Sequence, residues 1–90
     1  MHLDPFTVVI PAFNEEAGIE SVIRELQEGL SGYDFELIVV DDGSEDRTAQ
    51  LARGAGATVL SQPVNRGYGA SLKTGVQHAS HDSIVIIDAD

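Results

Sequence analysis

Short apolar runs and stretches of helical periodicity alternate along the chain. Four of the runs are too short for helices, and their apolar residues predict strands that are buried on both faces. They lie at residues 7–10, 35–40, 58–61 and 84–87. The last run is the best defined because it is apolar without interruption. The pattern therefore predicts a core built on four strands.

Between these runs, apolar residues recur at helical spacing and predict three helices. The first is expected from Glu15 to a stop near residues 29–32, the second from an N-cap at Ser44 to about Arg53, and the third around Leu72. The order is then βαβαβαβ, which predicts an α/β fold with a parallel sheet and right-handed crossovers. Sheets of this kind bind ligands beyond the carboxyl ends of their strands.

Composition narrows the class of protein. Ninety residues allow one domain, and a formal charge of -10, from fifteen acidic and five basic side chains, argues against binding nucleic acid through its phosphates. Without cysteine the chain has neither disulfides nor a thiolate metal site, which fits a reducing compartment. It shows no secretory signal and no apolar stretch near the roughly 18 residues of a membrane span. We therefore expect a cytoplasmic location.

Polar and turn-forming residues follow each predicted strand. They occupy residues 11–15, 41–44, 65–69 and 88–90. Any one of these segments is explained by ordinary turns and helix caps. In a parallel sheet, however, all four lie on one rim, where such sheets bind ligands. Their combination therefore favours a binding site.

The four segments resemble, in order and spacing, the start of the family 2 inverting glycosyltransferases with the GT-A fold. The resemblance rests on VVIPAFNEE at residues 8–16, IVVDDGS at 38–44, NRGYGA at 65–70 and IIDAD at 86–90. It implies that residues 1–90 are the Rossmann-like, nucleotide-sugar-binding part of a GT-A domain, truncated after the fourth strand. The acceptor half would be absent, and the chain alone is expected to be inactive.

Within that family, NRGYGA and the final DAD look most like the polyprenyl-phosphate branch, which includes dolichol-phosphate mannosyl and glucosyl transferases. One departure is His81, where that branch often has glycine. The resemblance implies transfer of a sugar from a UDP- or GDP-sugar to an acceptor, with inversion and a divalent metal. In this branch the acceptor is a lipid phosphate, so the full-length protein would work at the cytoplasmic face of a membrane.

Several rim residues are candidates for nucleotide binding. By resemblance, the loop after the first strand supplies Pro11, Ala12, Phe13, Asn14 and Glu15. The family places the base on the ring of Phe13, although a phenylalanine here could equally cover the core. The carboxylate of Asp42 can accept the ring N–H of uracil or guanine, which is also its role by resemblance. Asp41 is expected to satisfy backbone donors of its own turn.

Asp88 and Asp90 are the candidates for a metal site. Two nearby carboxylates repel each other and an approaching diphosphate, and a divalent cation relieves this repulsion. Hard oxygen ligands favour Mg²⁺ or Mn²⁺. The two side chains diverge along an extended segment, so we do not expect both to bind the ion in the same way. By resemblance, Asp90 binds the ion directly and Asp88 contacts the ribose or the sugar.

The third rim segment contributes two basic residues. Arg66 and Lys73 are the only basic side chains in this part of the sequence that could reach a phosphate. Alternatively, both are ordinary solvent-exposed surface residues. Gly67 and Gly69 permit a ligand to approach the backbone closely. The three histidines lack the spacing of a metal cluster.

Two other classes of protein gather ligands at strand ends. A dinucleotide-dependent oxidoreductase needs a glycine-rich turn after its first strand, where this chain has PAFN at residues 11–14. A phosphoacceptor signalling module of the flavodoxin-like class needs an aspartate at the end of its third strand. This chain has SQP at residues 61–63 instead. Both classes are therefore less consistent with the sequence than a glycosyltransferase.

The fourth strand also bears on assembly. In the strand order of the resembled family, residues 84–87 lie inside the sheet, beside strands that later sequence supplies. In the chain of 90 residues, one edge of the sheet is then expected to be bare and apolar. Such an edge invites pairing with another chain, so self-association is expected.

Overall fold

The computed structural model describes residues 4–89. In chain order, its elements are β1 (Phe6–Ala12), α1 (Ile19–Gly29), β2 (Phe35–Asp42), α2 (Thr48–Gly54), β3 (Thr58–Gln62), α3 (Tyr68–His78) and β4 (Ile84–Ile86). Both the α/β class and the order βαβαβαβ that the sequence predicts are confirmed. No helix in the described part is long and apolar enough to cross a membrane.

The four strands form one parallel sheet in the order β3-β2-β1-β4. Ala12 pairs with Asp41, and Asp41 pairs with Ser61, so the carboxyl ends of β1, β2 and β3 lie level with one another. β4 pairs with β1 through three residues only, beginning at Ile84 opposite Thr7. The register brings the predicted rim segments to one edge of the sheet.

The core lies on both faces of β1 and β2, which are the central strands. Side chains alternate between the faces, so Val8 and Ile10 meet the helices α1 and α2 through residues such as Ile23. Val9 and Val40 belong to the other face, which α3 covers. All five of these side chains are fully buried. This two-sided burial explains why the central strands are apolar at nearly every position.

Glycine lets α3 lie close to the sheet. A Cβ atom added at Gly75 would stand 2.5 Å from Cγ1 of Val9 and 3.3 Å from Cγ2 of Val40. Any larger residue would push the helix outwards, because interiors are packed too tightly to absorb the contact. The position of α3 relative to the ends of β1 and β2 is therefore fixed by packing.

The predicted start of the first helix is wrong by four residues. α1 begins at Ile19, whereas the apolar spacing suggested Glu15. The backbone N–H of Glu15 donates to Oγ1 of Thr48 at 2.8 Å, and the preceding residue, Asn14, has a left-handed φ of 51°. These features hold residues 13–18 as a loop across the end of β2.

The predicted N-cap of the second helix is also wrong. α2 begins at Thr48, not after Ser44, because the hydroxyl of Ser44 accepts the N–H of Asn14 at 2.9 Å instead of capping a helix. Asp46 then accepts the N–H of Thr48 at 2.9 Å. The hydroxyl of Thr48 also donates to Asp46, and it lowers the pKa of Asp46 more than the N–H of Thr48 does. The contact between Ser44 and the loop after β1 thus prevents Ser44 from capping the helix.

The strands also differ from the predicted ranges at their ends. β1, β2 and β3 extend further than predicted, to Ala12, Asp42 and Gln62, whereas β4 ends at Ile86, one residue early. β4 lies at the edge of the described sheet, and Val85 and Ile86 are 44% exposed. Directly after β4, the N–H of Ile87 still donates to the carbonyl of Val9 at 3.0 Å, so the chain stays beside β1.

Candidate functional site

A cleft of about 350 Å³ opens at the carboxyl ends of β1, β2 and β4. Six predicted site residues line it, namely Pro11, Ala12, Phe13, Glu15, Asp42 and Asp88. Five further residues line it that were not predicted to bind the nucleotide or the metal, although Gly67 was expected to let a ligand approach the backbone; they are Asn65, Gly67, Tyr68, Ser71 and Ala89. All but Ser71 lie within segments that the sequence had singled out. Ser71 offers no such signal, because it enters the site only by lying one helical turn after Gly67.

Three predicted residues do not line the cleft. Asn14 joins two loops, since its Oδ1 accepts the N–H of Glu45 at 2.9 Å while its own N–H donates to Ser44. Arg66 and Lys73 are exposed, and neither forms an ion pair within residues 4–89. The role of Asn14 seen here is structural. Asp90 lies outside the described residues, so its assignment as a metal ligand stays a prediction.

Phe13 stands at the mouth of the cleft. It follows β1 directly, and 46% of its surface is exposed. Phe13 is not among the described side chains that pack against either buried cluster, which favours stacking over covering the core. An exposed aromatic ring beside a polar cleft offers a flat face on which a planar ring can stack.

Asp42 is the most heavily bonded side chain of the cleft. Its Oδ1 accepts the N–H of Arg66 at 2.8 Å and Nε2 of Gln62 at 2.6 Å, and its Oδ2 accepts the N–H of Gly67 at 2.9 Å. The residue is only 4% exposed. A carboxylate offers about four acceptor sites, so three bonds leave one on Oδ2. Asp42 therefore both holds the loop before α3 and retains an acceptor for a ligand.

The turn after β2 lies directly against the same loop. Asp41 accepts the N–H of Ser44 at 3.1 Å, as expected of a residue that satisfies its own turn. Gly43 has a φ of 73°, and a Cβ atom there would stand 2.5 Å from the backbone nitrogen of Asn65. Glycine is therefore required at this position both by its backbone conformation and by the close approach of residues 64 and 65.

Tyr68 and Asp88 face each other across the cleft. The hydroxyl of Tyr68 donates to Oδ1 of Asp88 at 3.4 Å, a long and weak bond. Desolvation, and then the Asp88 carboxylate, raise the pKa of Tyr68 above its ordinary value. The hydroxyl thus stays protonated at neutral pH and can act as a donor. Tyr68 is 57% exposed, so its ring is available at the cleft mouth.

The donor set fits a divalent cation bound together with a diphosphate. Asp88 is an exposed carboxylate on the cleft wall, and its only side-chain hydrogen bond to a described residue is the weak contact with Tyr68. Mg²⁺ is commonly held by one or two carboxylates plus substrate phosphates and water. Residues 4–89 contain no cluster of three or more acidic, histidine or cysteine side chains that could hold a metal alone. The carboxylate therefore suits an ion that arrives with a phosphate ligand.

Comparison with known proteins identifies the family. The sequence model of glycosyl transferase family 2 matches residues 7–90 of this chain. The chain belongs to this family. Membership of this family excludes the two alternatives considered above, a dinucleotide-dependent oxidoreductase and a phosphoacceptor signalling module.

Two family 2 relatives act on polyprenyl phosphates according to their names. One is the undecaprenyl-phosphate 4-deoxy-4-formamido-L-arabinose transferase of Pseudomonas paraeruginosa, 36% identical over 98% of this chain and 28% of its own length. The other is a dolichyl-phosphate beta-glucosyltransferase of Trichomonas vaginalis, 34% identical over 91% of this chain and 29% of its own length. This chain thus spans less than a third of the length of either relative.

The fold matches glucosyl-3-phosphoglycerate synthase from Mycobacterium tuberculosis. That structure, a complex with Mn²⁺, UDP and glucosyl-3-phosphoglycerate, superposes with a TM-score of 0.84 and 42% identity over 96% of this chain and 33% of that one. Another complex of the same synthase contains Mg²⁺ and UDP. The GT-A fold predicted from the sequence is thus confirmed, and in that synthase UDP is bound together with Mn²⁺ or Mg²⁺, the ions that the sequence predicts.

Proposed function

We propose that the protein containing this chain transfers a sugar from a UDP-sugar to a phosphate-bearing acceptor, and that the cleft binds the nucleotide. The observation that carries the proposal is the cleft itself, where Phe13, Asp42 and Asp88 converge from the ends of three parallel strands. Family 2 membership and the UDP complex of a structure with 42% identity support it.

In this proposal the base binds between Phe13 and Asp42. The exposed ring of Phe13 stacks on the base, and the remaining acceptor site on Oδ2 of Asp42 receives a ring N–H. Uracil and guanine both carry such a donor, so GDP is the alternative nucleotide. The UDP complexes of the synthase favour uracil. Pro11, Ala12 and Glu15 complete the wall on that side.

The diphosphate then lies toward Asp88. We assign Mg²⁺ or Mn²⁺ to Asp88 and Asp90, with Asp90 as the direct ligand and Asp88 able to contact the ribose or sugar. The ion would stabilise the charge of the departing nucleoside diphosphate. Arg66 and Lys73 are exposed nearby on the loop and on α3, and they are the basic groups proposed to reach the phosphates. Asn14 keeps the nucleotide-binding loop in place.

The acceptor is proposed to be a polyprenyl phosphate at the cytoplasmic face of a membrane. The names of two relatives specify such acceptors. A phosphate is already an anion, so its attack on the anomeric carbon needs no strong catalytic base. Direct displacement by it would invert the configuration at that carbon. A sugar that is α-linked in the donor would therefore be β-linked in the product.

The test is a transfer assay on the protein expressed from its complete gene. UDP-glucose or GDP-mannose is incubated with undecaprenyl phosphate or with 3-phosphoglycerate, in the presence of Mn²⁺, and products are analysed by mass spectrometry and proton NMR. The expected result is a β-linked glycosyl undecaprenyl phosphate from the UDP donor. Transfer from GDP-mannose alone, or to 3-phosphoglycerate alone, would contradict the proposed donor or acceptor.

A further inference from the structure

A buried polar network lies directly behind the cleft. Nε2 of Gln62 donates to Oδ1 of Asp42 at 2.6 Å and to the hydroxyl of Ser71 at 3.4 Å. Oε1 of Gln62 accepts the hydroxyl of Thr74 at 3.0 Å. The amide therefore spans the end of β3, the end of β2 and one side of α3.

Gln62 belongs to this network but not to the cleft surface. It is 8% exposed and does not line the cleft, whereas its partners Asp42 and Ser71 do. These partners are 4% and 1% exposed, so water is scarce around the amide. In such surroundings a hydrogen bond to a carboxylate is strong, and its loss is not compensated by solvent.

The network determines which part of Asp42 faces a ligand. Gln62 and the N–H of Arg66 together occupy Oδ1, and Gly67 occupies one site of Oδ2. The site that remains is on Oδ2. Without the amide, the carboxylate could rotate about its last bond, because one of the three donors that fix its plane is gone. The free acceptor site on Oδ2 would then no longer point in a fixed direction.

We propose that Gln62 is a positioning residue of the nucleotide cleft, which acts through Asp42 by fixing the orientation of its carboxylate. Its bonds to Ser71 and Thr74 also hold α3 in position against the end of β3. The inference rests on the proposed function, because it assumes that Asp42 receives the base. Gln62 touches no ligand in this account. Its contribution is to hold the acceptor in the direction that the base requires.

The first test compares UDP binding by calorimetry, with Mn²⁺, in wild-type protein from the complete gene and in Gln62→Met. Methionine keeps the length and apolar body of the side chain but lacks the donor. We expect UDP to bind about tenfold more weakly. Gln27→Met is the matched control, because Nε2 of Gln27 donates at 2.8 Å to the carbonyl of Ala55, on the α1 side of the sheet. It should change UDP affinity by less than about twofold.

The second variant, Gln62→Glu, distinguishes positioning from a general loss of packing. The introduced carboxyl group can donate to Asp42 while it is protonated, and it repels Asp42 once both groups are ionised. UDP affinity should therefore fall, relative to wild type, as the pH rises from about 5.5 to about 8. The same pH series on wild type is the reference, so that only the difference between the two proteins is interpreted.

The outcomes separate this inference from the proposed function. Weak UDP binding by Gln62→Met, together with the pH-dependent loss in Gln62→Glu, supports the inference. UDP binding by wild type and Gln62→Met alike, or a Gln62→Glu profile parallel to wild type, would overturn it alone. Absence of UDP binding in wild type would overturn the proposed function, and this inference with it.

Discussion

The carboxylate of Asp42 accepts the backbone N–H of Gly67 at 2.9 Å, which joins the end of β2 to the residue before α3. Gly67 has a φ of 99°, so the chain turns sharply there and directs α3 along the sheet. The contact spans 25 positions of sequence. It makes one side of the cleft depend on a single acidic residue.

Replacing Asp42 by alanine should therefore affect both binding and stability. We expect nucleotide binding to weaken by about 1 to 3 kcal/mol, and the protein to lose stability because the N–H groups of Arg66 and Gly67 lose their acceptor. Calorimetry with UDP and GDP, beside a thermal melt, measures both effects. Asp41→Ala is the control, since among the described residues the side chain of Asp41 bonds only within its own turn. Unchanged affinity of Asp42→Ala for both nucleotides would remove Asp42 from the site.

Gly43→Ala should loosen the same loop without changing a charge. The added Cβ would stand 2.5 Å from the nitrogen of Asn65 and 2.6 Å from the carbonyl carbon of Val64. Gly32→Ala is a matched control, because Gly32 also has a positive φ, of 93°, but apart from its chain neighbours no heavy atom of residues 4–89 lies within 4 Å of its added Cβ. Gly43→Ala should cost about 1 to 3 kcal/mol more than the control in urea denaturation. Equal costs would mean that the close approach is unimportant.

Glu36 should make stability depend on pH in the acid range. The N–H of Ser80 has the largest effect and lowers the pKa of Glu36; burial opposes it, and the hydroxyls of Thr7 and Ser80 lower the pKa further. Because the folded pKa lies below the unfolded value, this stabilisation is present above about pH 4.5 and is lost as the pH falls through the folded pKa.

The variant Glu36→Gln isolates that contribution. At neutral pH it should be about 1 kcal/mol less stable than wild type, and the difference should shrink on acidification. Chemical denaturation of both proteins between about pH 7 and about pH 3 measures the difference. A constant difference over this range would show that ionised Glu36 contributes no stability.

The exposed edge at β4 leads to a prediction about assembly. Val85 and Ile86 are each 44% exposed, and β4 pairs only with β1 in the described sheet. An apolar strand edge favours pairing with another copy, so the 90-residue chain should self-associate as its concentration rises. Light scattering measures this, with Val85→Lys as the variant expected to reduce association. A compact monomer at every concentration would contradict the edge argument.

The fold could be predicted from the sequence because its central strands are buried on both faces. The runs at residues 7–10 and 35–40, which form most of β1 and β2, can be recognised without tertiary information. The run at 84–87 was also expected to be buried on both faces, but it forms an edge strand in which Val85 and Ile86 are 44% exposed. The starts of α1 and α2 could not be predicted so well. There Ser44 and Thr48 bond to the loop after β1, and the sequence does not show a partner 30 or more residues away.

In the site, too, residues marked by their place at a strand end could be predicted, whereas residues placed by distant tertiary contacts could not. Phe13, Asp42 and Asp88 were predictable because each follows a strand and the carboxyl ends of parallel strands share a rim. Gln62 was not, since its bond to Asp42 depends on the register of β2 and β3, and its bonds to Ser71 and Thr74 depend on the packing of α3. Asn14 was assigned to the nucleotide, yet its side chain bonds to the neighbouring loop.

The most direct test of the account is the metal dependence of UDP binding. UDP is titrated calorimetrically into the wild-type protein and into Asp90→Asn, each with Mn²⁺ and with EDTA. We predict that EDTA weakens UDP binding to wild type by about tenfold or more, and that Asp90→Asn largely loses this difference. Equal binding of UDP to wild type with Mn²⁺ and with EDTA would contradict a cleft that holds the diphosphate through a metal ion.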